Sequence, residues 1–438
     1  MDISDWIEQS SSTRKYAHFD RRTNLKESWT YISDPLKISK HSFYPFIHYT
    51  LRFKKYNGKE IKIKEREICY SAHLDRCIYQ YYGYLLNEKY NNYSEKFGFS
   101  DSAIAYRNNV RGKNNIHFAK QAFDFIKQQP CFIIVGDFTH FFDEIDHKYL
   151  KQKICTVLGD VNLSPDFYAV FKNITRYSKW DLKDILEINN LSENEEDRIT
   201  LNSKETVLTK EQFKRGAKQF IKPNKNNFGI PQGSAISAVL SNVYMIEFDK
   251  SIRDFINQKN GLYLRYSDDF IIVLPNLNDQ EFKMSLSQIH SIINSIPRLI
   301  LQPDKTQLYY FSNNKLNCRS NDFIAETGQH RKSLDYLGFT FDGTNITIRD
   351  KTISKYYYRL YRKIKTIVKS NGISPKGNKI SCNNLYLKYS QKGAGVGNGN
   401  FLTYVNRAAK VFGKDTDVWQ ISRVHFQKIR KKLKGIEL

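Results

Sequence analysis

Cysteine, proline, methionine and tryptophan are scarce in this chain of 438 residues, at six, ten, three and four. The cysteines (Cys69, Cys77, Cys131, Cys155, Cys318 and Cys382) are scattered. They form no C-x-x-C and no paired Cys/His spacing, which excludes the usual zinc modules and leaves reduced, mostly packed thiols as the expectation. No run of about 18 apolar residues could span a bilayer. The start, Met1-Asp-Ile-Ser-Asp-Trp, is polar and acidic rather than basic then apolar, so no export signal is read and a cytosolic protein is expected. A repeat of about 20 to 50 residues is missing, which removes solenoids. Gly-x-x-x-x-Gly-Lys-[Ser/Thr] is missing too, and Gly393-Ala-Gly-Val-Gly-Asn-Gly-Asn has no lysine, so a P-loop ATPase is unsupported and that stretch reads as a flexible loop.

Acid is absent over a long span. From Lys351 through Lys414 there is no Asp or Glu, against 14 Lys and Arg. The whole chain carries 69 Lys+Arg and 45 Asp+Glu, a formal charge of +24, a field that draws polyanions and makes nucleic acid the expected partner. A hydrophobic fraction of 40% with 29 Phe and 29 Tyr is too rich for a disordered basic tail, and the length suits two or three packed units. Within the acid-free span, Ile353, Tyr357, Leu360, Ile364 and Ile367 recur at helical steps. Lys355, Arg359, Arg362, Lys363 and Lys369 are left to the surface, which predicts a separate helical unit that grips a polyanion. Tyr356, Tyr357, Tyr358 and Tyr361 are available for stacking on bases, although packing is the plainer reading for most of them.

Upstream, Tyr49-Thr-Leu-Arg-Phe starts a hairpin-like segment. Leu74, Ile78, Tyr81, Tyr82 and Leu85 predict a helix over 72–86 with an aromatic buried face. Cys131-Phe-Ile-Ile-Val-Gly-Asp after Pro130 reads as a buried strand ending at Asp137. Between about 158 and 215 the balance turns acidic and periodicity fades, as in a surface insertion. Residues 235–255 read as one buried helix, and Leu262-Tyr-Leu-Arg-Tyr with Phe270-Ile-Ile-Val-Leu as a hairpin whose tip is Ser267-Asp268-Asp269.

A strand-end Asp is ordinarily a cap, and an Asp-Asp pair in a hairpin tip is ordinarily a turn. Both elements here are apolar enough to be neighbours in one sheet, which would gather two or three carboxylates at one point. Like charges so placed need a counter-ion, and hard divalent cations with oxygen ligands suit them. The chemistry such a site performs is two-metal phosphoryl transfer.

The ordered blocks are specific. Gly136-Asp137-Phe-Thr-His-Phe-Phe142, then Gly229-Ile-Pro-Gln-Gly-Ser234, then Tyr266-Ser-Asp-Asp-Phe270 resemble motifs A, B and C of reverse transcriptases, in that family's order. Pro303-Asp-Lys305-Thr resembles motif D, and Leu334-Asp-Tyr-Leu-Gly-Phe339 the motif E primer grip. The resemblance covers about residues 60 to 345. It implies an α+β right-hand polymerase: fingers and an N-terminal extension over 1–130, a palm of antiparallel sheet on helices over 131–345, and a basic helical thumb over 346–438.

The resemblance also implies roles. Asp137 and Asp268 would bind two Mg²⁺ ions, with Mn²⁺ as a substitute, and Asp269 would stand as a third carboxylate of the metal site that assists rather than coordinates directly. Lys305 would serve the departing pyrophosphate. Phe142 would fill the space a ribose 2′-OH needs, so deoxynucleotides are favoured. Gln232 and Gly233 would form the floor under the incoming base, Tyr266 would line the substrate site, and Arg66 and Arg107 would hold the triphosphate. Ser234 reads equally well as a helix cap.

Arg66-Glu-Ile-Cys-Tyr-Ser-Ala-His-Leu-Asp75 with Ile78-Tyr-Gln-Tyr-Tyr-Gly is most similar to the bacterial unknown-group and abortive-infection reverse transcriptases of antiphage defence. That implies a dedicated noncoding RNA as template, dNTPs as substrates, a DNA or RNA–DNA hybrid product, and a second protein or a homo-oligomer as further partner. The alternatives are a template-independent or protein-primed polymerase of the same family, a retron-type enzyme, an RNA-dependent RNA polymerase, and an RNA-binding scaffold with an inactive palm.

Overall fold

The computed structural model describes residues 2–56, 60–107, 109, 112–323, 332–373 and 382–413, together with 418, 429 and 432. It is a mixed fold, 51% helix and 17% strand. Among the described residues twelve strands occur: β1 (Phe46–Tyr56), β2 (Ile61–Tyr70), β3 (Cys131–Asp137), β4 (Ser178–Asp181), β5 (Lys222–Pro223), β6 (Leu262–Tyr266), β7 (Asp269–Pro275), β8 (Gln307–Ser312), β9 (Lys315–Cys318), β10 (Leu334–Tyr336), β11 (Phe339–Phe341) and β12 (Ile346–Ile348). The chain divides into two compact units that interleave along the sequence. The first holds Met1–Asn109, Phe138–Arg253 and Gln288–Leu301; the second holds Val110–Asp137, Asp254–Ser287 and Gln302–Leu438.

The first unit carries a sheet of order β2-β1-β4-β5. The expected hairpin is its β1–β2 pair, and β4 joins β1 in parallel over Phe46–His48 only, leaving the outer half of β1 paired with β2 alone. The acidic stretch is not a surface insertion. Its short helices close over a buried Trp180, packed with Leu182, Ile185, Leu186, Leu201, Val207 and Leu208 against Ala17, Phe19 and Ile47. The aromatic helix spans His73–Lys96 with its buried face rotated from the expected one: Ile78 and Tyr82 are buried, as are Cys77 and Tyr79, whereas Leu74, Tyr81 and Leu85 are half-buried. The single helix expected over 235–255 is two, Ser237–Tyr244 and Ile246–Asn257, broken where Met245 N–H tightens onto the carbonyls of Asn242 and Val243.

The second unit is built on a sheet of order β6-β7-β3-β8-β9. Its centre is β3, antiparallel to both β7 and β8. A strand with neighbours on both edges and both faces covered needs a continuous apolar run rather than alternation, which is what Cys131 to Val135 provide. Phe132 stacks on Phe282 of helix Asp279–Ser295, with ring centroids 4.0 Å apart. A smaller sheet, β10-β11-β12, follows.

Helix Asp350–Lys369 buries Leu360, Ile364 and Ile367 as expected, with Tyr356 taking a place in the core while Ile353 and Tyr357 are half-buried. Each such aliphatic burial contributes about 1.5–3 kcal/mol. Lys355, Arg359, Arg362, Lys363 and Lys369 are exposed. Tyr356 donates to the Tyr389 carbonyl and Tyr357 stacks on Tyr361, so Tyr358, 64% exposed, is the ring of the four left open to solvent. Residues 374–381 and 414 of the acid-free span lie outside the described residues. The Gly393 stretch is not wholly open: a Cβ on Gly393 would lie 1.8 Å from the Leu387 carbonyl oxygen. Cys69, Cys77, Cys131, Cys155 and Cys318 are free thiols, and the Cys382 side chain lies outside the description. Among the described residues no helix is long and apolar enough to cross a membrane.

Gly136 lies opposite Phe270 in the β3–β7 register, and a Cβ there would fall 2.3 Å from the buried ring. Gly136→Ala is therefore expected to lower stability by about 1–3 kcal/mol, read from the urea midpoint. An unchanged midpoint would show that the ring yields freely.

Candidate active site

The sheet of the second unit sets the acids. β3 ends on Asp137 and β7 begins on Asp269, and the two are direct antiparallel partners, as are Tyr266 and Asp269. Opposed residues project from one face with Cα atoms about 4.5–5.5 Å apart. The expected three-residue tip is a two-residue turn, Ser267-Asp268, because Asp269 already belongs to the strand. Two-residue hairpins need positive φ at their first central position, which glycine adopts at no cost. Here Ser267 adopts it, at φ 62°. Arg265, fully buried, donates from Nη1 to the Ser267 carbonyl at 2.9 Å and so braces the turn that carries Asp268. A non-glycine residue held in that region beside a cluster of acids is the kind of strain that collects at functional sites.

Asp137 is 6% exposed. Its Oδ2 accepts from the Lys305 ammonium, while its Oδ1 is buried with no hydrogen-bond partner among the described residues. Burial, then the charge of Asp268, pushes the Asp269 carboxyl up to about 6, against the pull of Arg349. The carboxyl reaches solvent at the strand end even though protein crowds it. An orphaned, buried carboxylate oxygen on the strand partner of a second carboxylate suits a hard divalent ion. Among the described residues no group of three or more His, Cys, Asp or Glu side chains is drawn together as a ready-made metal cage. Mg²⁺ ordinarily takes one or two carboxylates and fills its sphere with water and substrate phosphate, so the residues fit it without such a cage.

In the first unit a second group forms around the Gly229–Ser234 loop. Ile230 N–H donates to the Phe142 carbonyl at 2.9 Å and Gly229 N–H to that of Ile145 at 2.8 Å; His147 bonds twice, its N–H to Asn227 O at 3.0 Å and its Nε2 to Gly229 O at 2.8 Å. The segment after Asp137 and the Gly229 loop are thus laced together. On the other side Cys69 N–H of β2 donates to Gln232 O at 2.9 Å. Gly233 sits at φ 113°, and a Cβ there would meet the Cys69 carbonyl oxygen at 2.4 Å, so glycine is required by the approach of β2. The Gln232 amide makes two long contacts, 3.4 Å each, to the Asp143 carboxylate. Burial raises that carboxyl above its ordinary value, while Gln232 and then His140 draw it back.

Of the two adjacent rings, Phe141 is packed in the core and Phe142 is half-buried, so Phe142 is the one with an open face. Arg66 is exposed on β2 with no ion pair among the described residues. It shares a strand face with Ile68, whose Cγ2 lies 3.6 Å from the position of a Gly233 Cβ.

Two expectations need correction. Arg107 does not present its guanidinium to a phosphate. It donates to Asn91 Oδ1 at 2.9 Å, to Ser94 Oγ at 3.0 Å, to Ala103 O at 3.3 Å and to Ser100 O, and lies over the Tyr90 ring, so four of its five N–H donors tie helix His73–Lys96 to the loop after it. Ser234 is not a helix cap: its Oγ is buried without a partner, and Ser237 Oγ closes the loop by donating to Pro231 O at 2.8 Å. Two residues were missed. Arg265 was detectable as a lone charge in an apolar strand, whereas nothing in its neighbourhood marked Asp143 as more than a solvated acid.

The family model for reverse transcriptase (RNA-dependent DNA polymerase) matches residues 94–341, more than half of the chain. The chain belongs to the reverse transcriptase family, whose members are nucleotidyltransferases with the right-hand polymerase fold. Similar solved structures include an apo telomerase from Candida tropicalis truncated of its C-terminal domain, at 12% identity and TM-score 0.41, covering 79% of this chain and 65% of that one. Another is a telomerase from Candida albicans in complex with the TWJ fragment of telomeric RNA, at 14% identity and TM-score 0.38, covering 99% of this chain and 68% of that one. This chain therefore spans about two thirds of their length. No curated protein matches.

Arg107→Ala is expected to cost about 2–3 kcal/mol of stability, read by urea unfolding, because it leaves Asn91, Ser94 and two carbonyls without their donor. A fully stable variant with a raised KM for nucleotide would instead return Arg107 to the substrate site.

Proposed function

We propose that the chain is an RNA-directed DNA polymerase acting by two-metal nucleotidyl transfer at Asp137, Asp268 and Asp269. The observation that carries this reading is the pairing of Asp137 with Asp269 across β3 and β7, with Asp268 in the adjoining turn. Asp137 and Asp268 would hold the ions and Asp269 would assist. Bound Mg²⁺, or Mn²⁺ in its place, supplies a more acidic primer 3′-hydroxyl and charge neutralisation for the leaving pyrophosphate. The chain's own side chains do the rest. Arg66, exposed and with no ion partner among the described residues, takes triphosphate oxygens. The open face of Phe142 meets the sugar and leaves no room for a 2′-hydroxyl. Gln232, oriented by Asp143, and Gly233 form the floor under the base, and Tyr266 lines the same face as Asp269. Lys305 neutralises the departing phosphate charge.

The division into fingers with an N-terminal extension (1–130), palm (131–345) and thumb (346–438) is proposed as a functional one. The exposed row of Lys355, Arg359, Arg362, Lys363 and Lys369 supports a thumb that follows the phosphates of a hybrid duplex. Similarity of the Arg66–Asp75 block to bacterial defence enzymes supports a cytosolic role against phage with a dedicated noncoding RNA as template.

The test is to purify the protein from cells with its nucleic acid, add Mg²⁺ and dNTPs, and sequence what is made. DNA complementary to the bound RNA is expected. A product unrelated to that RNA, or one covalently attached to the protein, would point to template-independent or protein-primed synthesis. Asp268→Asn is expected to lower incorporation by about 10³-fold without weakening RNA binding. Equal incorporation by that variant would place the chemistry elsewhere. Phe142→Ala is expected to raise ribonucleotide use relative to deoxynucleotide by about tenfold or more, measured as the ratio of kcat/KM values. An unchanged ratio would remove Phe142 from the sugar site.

A further inference from the structure

We propose that Lys305 is an intramolecular counter-ion of the metal site, whose ammonium must leave Asp137 before a divalent ion can be held there, so that this exchange sets ion affinity in the resting protein. The inference rests on the reading of Asp137 and Asp268 as metal-binding residues.

A carboxylate as dry as Asp137 needs an opposite charge close by. Its side chain is 8% exposed, one oxygen is orphaned, and the ammonium on the other oxygen is that of Lys305. The lysine is asymmetric to it in the way an exchange requires: its side chain is 50% exposed, so withdrawal into water needs no rearrangement of the core. Its root cannot drift. Residues Pro303–Lys305 form a single 3₁₀ turn, closed by Lys305 N–H on Gln302 O at 3.2 Å and Thr306 N–H on Gln302 O at 3.0 Å. Gln302 N–H is bonded in turn to the Asp137 carbonyl at 2.7 Å. The lysine backbone is therefore tied to the main chain of the very residue its side chain neutralises. The exchange therefore falls to the four-carbon stem, half of whose surface meets water. A lysine, compact in charge and long in stem, suits this better than an arginine fork that locks bidentately onto one partner. The same motion would release the ammonium when the carboxylate takes an ion in its place.

The experiment is Mn²⁺ binding to the full chain without nucleotide, read from the free-ion EPR signal, in the wild type and in Lys305→Met, Lys305→Arg, Asp137→Asn and Lys315→Met. Lys315→Met removes an exposed lysine of β9 in the same unit and measures the general effect of one lost positive charge. The Kd of the site that Asp137→Asn abolishes is expected to tighten about tenfold in Lys305→Met, the scale of one charged hydrogen bond partly open to solvent, and by less than twofold in Lys315→Met. It is expected to stay near the wild-type value in Lys305→Arg. An unchanged or weaker Kd in Lys305→Met, or equal tightening in Lys315→Met, overturns the counter-ion while leaving the metal site in place. Absence of any Mn²⁺ site that depends on Asp137, in wild type and Lys305→Met alike, overturns the metal reading and this inference with it.

Discussion

The register of β3 against β7 is the constraint on which the active-site account depends. Side chains alternate along a strand, so a slip of one residue would turn Asp137 and Asp269 to opposite faces and leave each a lone acid. The register is held by apolar pairs from Phe132 and Leu274 through Val135 and Ile271, and by β8 on the other edge of β3. Gly136, having no Cβ, leaves room for the Phe270 ring that packs beside it. The core thus stabilises an arrangement that its carboxylates oppose: Asp268 raises Asp269, and Asp137 keeps an unsatisfied oxygen. Charge placed against its own interest by a rigid apolar scaffold is preorganisation for a cation.

The same logic governs the loops of the first unit. The segment following Asp137 would be free to wander if it were an ordinary connection, but its carbonyls at Phe142 and Ile145 are taken by the Gly229 loop, and His147 closes the lacing. Burial holds the His147 imidazole below its usual pKa, against the opposing pull of its Nε2 bond to Gly229 O. Hydrogen bonds of main chain to main chain, rather than side-chain packing, fix where Phe142 and Gln232 stand.

The parts of the fold that could be read from sequence were those whose local pattern has one physical solution. Five apolar residues after Pro130 leave little but a covered strand, and two such runs around Ser267-Asp268 leave little but a hairpin. The acidic stretch was misread because its helices after Trp180 are short, seven to eleven residues, and pack around that one tryptophan instead of presenting a long stripe. Arg107 and Arg66 show a different barrier. Both lie in the part of the chain expected to form the fingers, and both guanidiniums look equally available in the sequence. Whether an arginine faces a substrate or staples a helix to a loop is decided by carbonyls such as those of Ser100 and Ala103, which carry no side-chain signal. The aromatic helix was expected over 72–86 but runs from His73 to Lys96, and its buried face is rotated, since tyrosines can be half-buried on either flank of a stripe.

The most direct test of the central claim is anomalous diffraction from crystals soaked in Mn²⁺ with a non-hydrolysable deoxynucleoside triphosphate. The account predicts a manganese peak bonded to carboxylate oxygens of both residue 137 and residue 268, at about 2.0–2.2 Å. Manganese bound to one of them alone with the other turned away, or found only at other acids, would contradict it.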